Sequence, residues 1–259
     1  MEKSGIVYGK NAVEALLETG KRQVNKIFLA KGVNFDPKLR KILNLAKEAG
    51  IVVQEVPREK LNIMSEDASH QGILASVSPV EYMELDDFIA TLKEKHEGNS
   101  LIVMLDGVED PHNFGSIVRT AYAAGVDGII IPKRRSSPVT SVVEKASAGA
   151  VENIPIIQVT NLTNTIENLK KENFWVIGAE GSANQDYFDT DYNMNCVLVL
   201  GGEDKGVSLL VKKHCDILVK IPMLNKINSL NVANAASILI YEVVRQKLKN
   251  MGKYNIDKT

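Results

Sequence analysis

The stretch that decides the fold is Leu101-Ile102-Val103-Met104-Leu105, followed by an amphipathic segment from Phe114 to Ala124 and then by Gly128-Ile129-Ile130-Ile131. Each apolar run is short and unbroken, with no polar residue alternating through it, which is the pattern of a strand buried on both faces. The helical segment between them supplies the crossover that two parallel strands need. The same grammar continues outward. Toward the C-terminus come a helix Val139 to Ala146, a strand Ile154 to Val159, a helix Leu162 to Asn173 and strands Phe174 to Gly178 and Cys196 to Leu200. A helix Val207 to Lys213, a strand Ile217 to Ile221 and a long helix from Asn231 to Leu248 complete the series. An α/β domain with a parallel sheet covered on both faces is expected.

Toward the N-terminus the alternation recurs on a smaller scale. A helix spans Gly9 to Thr19, a strand Lys26 to Ala30, a helix opens at Asp36-Pro37 and closes at Gly50, and strands follow at Ile51 to Val56 and Gly72 to Val77, with a short helix started by Pro57 between them. Residues 79–99, where Pro79 breaks the strand and Asp86 to Lys95 has helical periodicity, read as a linker and connecting helix. The expected division is therefore a lobe at 1–78, a linker at 79–99 and a larger domain at 100–259.

Composition narrows the function. The 259 residues are 44% hydrophobic and 24% charged, the profile of a globular chain. No apolar run is long enough to cross a bilayer, so no membrane partner is expected. The N-terminal residues resemble no leader, and the expected location is cytoplasmic. With 31 basic and 32 acidic residues the net charge is -1, so any RNA contact must come from local patches. Two cysteines without a CxxC partner make a disulfide scaffold or a zinc site improbable, and no metal is expected.

In open α/β sheets ligands bind beyond the carboxyl ends of strands, and three loops there carry chemistry. The first holds Asn113, able to cap a helix, with Gly115 and Arg119 four apart on one face; its bland alternative is a capped surface helix with a solvated arginine. The second is Gly201-Gly202-Glu203-Asp204-Lys205-Gly206, a glycine-rich turn whose negative charge disfavours a triphosphate and which matches neither GxxxxGK[ST] nor GxGxxG. The third runs from Ile221-Pro222-Met223 through Asn225 to Ser229-Leu230-Asn231-Val232, with polar groups at a helix start. Capped helices and glycine turns are the bland readings of these two.

In order and spacing the three loops resemble the signature motifs of the SpoU/TrmH family of RNA ribose 2'-O-methyltransferases, in the SPOUT superfamily. The likeness extends to the first lobe, where Tyr8-Gly9-Lys10-Asn11-Ala12-Val13 and His70-Gln71-Gly72 resemble that family's ribosomal-protein-like RNA-binding domain. The resemblance implies a deep trefoil knot in the C-terminal domain, a homodimer whose active site draws on both subunits, and S-adenosylmethionine as methyl donor, held by Ala179, Gly201, Ile221, Met223 and Leu230. It implies Arg119 as the central catalytic residue, with Asn113, Glu203, Ser229 and Asn231 orienting it and the target nucleotide. Arg119 as base and Arg119 as stabiliser of an alkoxide or anchor of a phosphate both stay open.

RNA contacts are expected from Lys10 and from Lys133-Arg134-Arg135, the latter at the carboxyl end of a strand. The full first lobe resembles the enzymes that act on guanosine in large-subunit (23S) ribosomal RNA more than the minimal transfer-RNA enzymes. A transfer-RNA methyltransferase and a catalytically inactive ribosome-associated RNA-binding protein are the alternatives; a dinucleotide oxidoreductase is disfavoured by the missing GxGxxG. Two residues depart from the family pattern, Asp204 after the motif glutamate and Asn225 in place of a glycine.

Overall fold

The computed structural model describes residues 5–95, 99–203 and 205–252, so Asp204 and part of the polar connector lie outside the described residues. The chain divides into two compact units, Met1–Glu81 with Pro138–Asn153, and Tyr82–Ser137 with Ile154–Thr259.

The first unit begins with strand β1 (Gly5–Tyr8), helix α1 (Lys10–Thr19), β2 (Val24–Ala30) and α2 (Pro37–Glu48), and goes on to β3 (Val53–Val56), α3 (Arg58–Met64) and β4 (Ile73–Val77). Its four-stranded sheet has the order β1-β4-β2-β3. Only the β2–β3 pair is parallel; β4 runs antiparallel to both β1 and β2. Asp36 caps α2 by accepting the Leu39 N–H at 2.8 Å, with Pro37 in the first turn, where its missing N–H costs nothing. Val13, Leu16, Leu39 and Ile42 from the two helices meet Ile27, Leu29, Ile73 and Ala75 from the sheet in one core.

The second unit opens with α4 (Leu85–Lys95), β5 (Leu101–Asp106), α5 (Pro111–Ala123) and β6 (Gly128–Pro132). The chain then contributes α6 (Ser141–Ala146) and a 3-10 turn (Ala150–Glu152) to the first unit. After it come β7 (Ile156–Val159), α7 (Leu162–Lys171), β8 (Trp175–Ala179), β9 (Gln185–Asp186), β10 (Cys196–Gly201), α8 (Leu209–His214), β11 (Ile217–Lys220) and α9 (Val232–Asn250). Seven strands pair in the order β7-β6-β5-β10-β8-β11-β9, every pair parallel. The α/β reading from continuous apolar runs is thus the observed fold. Phe88 of α4 is buried in this unit's core beside Ile102, Met104 and Ile130, and Met83 bridges to Ile157, so this part of the expected connector is core structure.

Within the first unit, the guanidinium of Arg22 is buried among two carboxylates. Its Nη1 donates to Glu144 Oε1 at 2.6 Å and to Glu152 Oε1 at 2.7 Å, while Nε and Nη2 donate to the Ser78 carbonyl. All three side chains are less than a tenth exposed, and among the described residues Glu144 Oε2 has no hydrogen-bond partner. Burial, together with the neighbouring Glu152, outweighs the attraction of Arg22 and pushes the Glu144 carboxyl up to about 7.

Candidate methyl-donor and RNA site

The carboxyl ends of β5, β8, β10 and β11 gather the three motif loops. After β5, the Asp106 carboxylate accepts the Ser208 N–H at 2.7 Å and the Asp106 carbonyl accepts the Gly202 N–H at 2.9 Å, tying the first loop to the second. Asn113 does not cap α5: the helix starts earlier, at Pro111, and Asp110 is the cap, accepting the Asn113 N–H at 2.7 Å. Proline's fixed φ suits the first helical turn, which moves the cap upstream and frees the Asn113 side chain.

The second loop admits only glycine at its entry. A Cβ on Gly201 would lie 2.0 Å from the Val207 nitrogen, and one on Gly202 would lie 2.1 Å from the Gly107 oxygen. Gly206 closes the turn on Gly202 by an N–H to carbonyl bond of 2.9 Å with φ +60. This close backbone approach aims Glu203 at the starts of α5 and α9.

Asn231 caps α9 through Oδ1, which accepts the Ala233 and Asn234 N–H groups at 2.9 and 3.4 Å. Its Nδ2 is left to donate to Glu203 Oε1 at 2.6 Å and to Asn113 Oδ1 at 2.9 Å, and Asn113 Nδ2 donates to the same Glu203 oxygen at 3.0 Å. Three residues from three loops, far apart in sequence, thus form a closed ring of hydrogen bonds. The helices beneath it are joined by a Thr120–Ser237 hydroxyl contact of 3.2 Å.

Two cavities flank the Gly202–Gly206 loop. The larger, about 800 Å³, is lined by Ala179, Gly201, Ile221, Met223 and Leu230, the complete set expected to hold the donor, and by Ser229 and Asn225. The other, about 690 Å³, is lined by Asp106, Glu109, Asp110, Asn113, Arg135 and Lys212 among others. Glu203 lines both. Asn225 is not among the residues with positive φ, so nothing in the backbone there demands glycine.

Sequence reasoning missed Glu180, which lines the larger cavity. Burial alone would raise its carboxyl, but the ion pair with Lys212 and the hydrogen bonds from Ser182 outweigh it and hold it below the usual range. Asp106 was missed too; its only sequence signal is its place at a strand end before Gly107.

The other expected residues lie outside the hydrogen-bonded ring. Arg119 is exposed on α5, lines neither cavity and, among the described residues, has no hydrogen-bond or ion-pair partner. Ser229 is exposed in the lining of the larger cavity and, among the described residues, makes no hydrogen bond. Lys10 is engaged with Asp36 at 2.5 Å. Lys133, Arg134 and Arg135 are exposed, and Arg135 reaches the smaller cavity with φ +60. Among the described residues no group of three His, Cys, Asp or Glu side chains is placed to hold a metal ion, and no helix is long and apolar enough to cross a membrane.

Both units have counterparts among known proteins. Residues 100–241 match the SpoU rRNA Methylase family, and residues 6–83 match the RNA 2'-O ribose methyltransferase substrate binding family. A Staphylococcus aureus (strain MSSA476) protein assigned to the TrmH family of tRNA/rRNA methyltransferases is 46% identical over 242 residues, 93% of this chain and 96% of its own length. The AdoMet-bound rRNA methyltransferase from Sinorhizobium meliloti superposes with a TM-score of 0.77 at 26% identity, covering 94% of this chain and 87% of that one. The SpoU methyltransferase from Streptomyces viridochromogenes, in complex with AdoMet, shares the fold with a TM-score of 0.80 at 23% identity, covering 95% and 92%. The chain belongs to the SpoU rRNA methylase family of RNA methyltransferases.

Proposed function

We propose that the protein transfers a methyl group from S-adenosylmethionine to a ribose 2'-hydroxyl, on a guanosine of 23S ribosomal RNA. The observation that carries this reading is the Asn113–Glu203–Asn231 ring at the junction of the two cavities, beside the cavity lined by Ala179, Gly201, Ile221, Met223 and Leu230. That cavity fits the donor: its volume suits a nucleoside with a short side chain, and its lining combines the apolar Ile221, Met223 and Leu230 with the carboxylates of Glu180 and Glu203. S-adenosylmethionine supplies an already activated methyl on a sulfonium, so the protein's task is alignment and charge stabilisation.

The ring fixes Glu203 as an acceptor at the donor cavity's edge and sets the side chains around it. Arg119 offers a permanent cation with five N–H donors for a developing alkoxide or a neighbouring phosphate. Because Arg119 stands outside both cavities of a single chain, we assign completion of the site to a second copy, in a homodimer. The deep trefoil knot of the SPOUT proteins belongs to the same proposal.

The test is methyl transfer from radiolabelled S-adenosylmethionine into total RNA of cells lacking the protein, with the RNA separated by size and digested to nucleosides. Label recovered as 2'-O-methylguanosine from 23S RNA, and lost with Arg119→Ala, is the expected result. Label in the transfer-RNA fraction would overturn the substrate assignment, and no donor binding would overturn the activity.

A further inference from the structure

The sheet of the first unit has two unequal faces. Val7, Ile27, Leu29, Ile73 and Ala75 point to the side covered by α1 and α2. The opposite face carries Lys26 and Phe28 on β2, paired in register with Ser76 and Leu74 on β4, and Gln54 on β3 beside Phe28. Helix α3, seven residues long, packs here, burying Leu61 with Tyr8, Ala30, Val56 and Leu74, and α6 lies along the β1 edge, where Ser141 meets the Tyr8 hydroxyl. Phe28 packs at the edge of that cluster and remains partly exposed, as do Lys26 and Ser76, while Gln54 is exposed.

Two ammonium groups converge on the Phe28 ring from different elements. Lys26 Nζ lies 6.0 Å from the ring centroid and Lys60 Nζ of α3 lies 5.8 Å away. At the outer limit of a cation–π contact both keep most of their charge available. Among the described residues neither is paired with a carboxylate, and the one recorded bond is Lys26 to the Gln54 amide oxygen at 3.5 Å. Of the nearby acids, Glu66 sits toward Tyr8 on β1, two strands from Phe28, and two others face elsewhere. Glu55 alternates to the other face, in register with Leu29, and Glu59 shares the outer side of α3 with Ile63, which is 79% exposed. Lys10, by contrast, has its charge engaged by Asp36.

An aromatic ring on an open sheet face, flanked by unpaired lysines, has the composition of a platform for unpaired bases: the ring stacks on any base, and the cations meet the phosphates on either side. We propose that this face binds a single-stranded segment of the RNA substrate, with Phe28 under a base and Lys26 and Lys60 on adjacent phosphates. The proposal rests on the RNA methyltransferase reading and places substrate contacts on residues outside the motif loops.

The experiment uses the full chain and a fluorescent single-stranded RNA oligonucleotide, followed by anisotropy at several salt concentrations, with donor binding measured in parallel. Phe28→Leu, which keeps an apolar group over Leu74, is expected to weaken RNA binding about 5- to 100-fold, and Phe28→Tyr to restore it. The double variant Lys26→Gln/Lys60→Gln should reduce the slope of log affinity against log salt by about 1.4, the share of two phosphates on a single strand. Thermal melts and donor binding stay at wild-type values in all variants. Wild-type RNA affinity and salt slope in both Phe28→Leu and the double variant would overturn the proposal while leaving the methyltransferase reading intact. A wild-type protein that binds the donor and methylates RNA yet shows no affinity for single strands would overturn it as well. Failure of the wild type to bind donor or methylate any RNA would overturn the underlying reading.

Discussion

Replacing Arg22 by Met should unlock Pro138–Asn153 from the rest of the first unit. The substitution preserves apolar volume but removes the donors that reach Glu144 at 2.6 Å, Glu152 at 2.7 Å and the Ser78 carbonyl. Two carboxylates that are nearly inaccessible to water are left without a counter-ion. Breaking a buried pair from one side costs about 3–5 kcal/mol, a large share of a domain's usual 5–15. The penalty depends on pH. In the native protein the Glu144 carboxyl, raised from 4.5 to about 7, faces Arg22, Glu152 and the Tyr8 hydroxyl. A carboxyl raised on folding binds its proton more tightly in the fold. Glu144 therefore subtracts stability progressively between pH 4.5 and about 7, by about 3 kcal/mol once the pH exceeds both values. In the variant, each buried carboxyl that must take up a proton to fold costs about 1.4 kcal/mol less for every pH unit of acidification. Hydrogen exchange read on peptides from 138–153 is the suitable assay, since Trp175 lies in the second unit and does not report on this one. Protection should fall by two to four orders of magnitude at pH 8 and recover much of that at pH 6, after correction for intrinsic exchange. A loss below tenfold at pH 8, or one that is the same at both pH values, would refute the reasoning.

Glu144→Gln removes the titrating, half-paired carboxylate. Its melting temperature relative to wild type should rise between pH 5 and pH 8, and a difference that falls over that range would contradict the assigned direction. Gly201→Ala places a Cβ 1.8 Å from the Gly206 carbonyl carbon, so the expected product is insoluble or unable to bind S-adenosylmethionine; wild-type donor affinity by calorimetry would show that the loop relaxes freely. Asn231→Asp separates capping from networking. The carboxylate still accepts the Ala233 N–H but now faces the Glu203 carboxylate, so the melt should fall by an amount equivalent to about 1–3 kcal/mol, while methyl transfer falls at least tenfold because Glu203 and Asn113 lose their shared donor. Full activity in this variant would remove the ring from the mechanism.

Strands such as Cys196–Gly201 and Leu101–Asp106 were legible because a strand buried on both faces needs an uninterrupted apolar run, and little else in a soluble chain does. Gly5–Tyr8 and Gln185–Asp186 were not: one lies in a short, mixed N-terminal stretch, the other is two polar residues whose strand character comes entirely from pairing with their neighbour. Asn231 was readable as a cap from its position before an apolar helix, whereas the start of α5 was placed too late because Asp110-Pro111 was passed over as loop. The residues of the donor cavity were reached through family resemblance; no local pattern places Ala179 beside Leu230. Arg22 was invisible as a buried residue. Between Lys21 and Gln23 it reads as solvated surface, and the carboxylates that hold it arrive 122 and 130 positions later.

That long separation has a consequence for synthesis. The first 81 residues leave the ribosome with Arg22 and the Ser78 carbonyl in place but without either carboxylate, which are encoded beyond β6. At about 5–20 residues per second the nascent lobe waits roughly 4–14 s for Glu152. During that interval a guanidinium destined for burial must stay hydrated, so the lobe completes its packing only after Tyr82–Ser137 of the next unit has been made. A fragment truncated at residue 81 would be stranded permanently in this waiting state, and adding a peptide of residues 138–153 in trans is the direct way to release it.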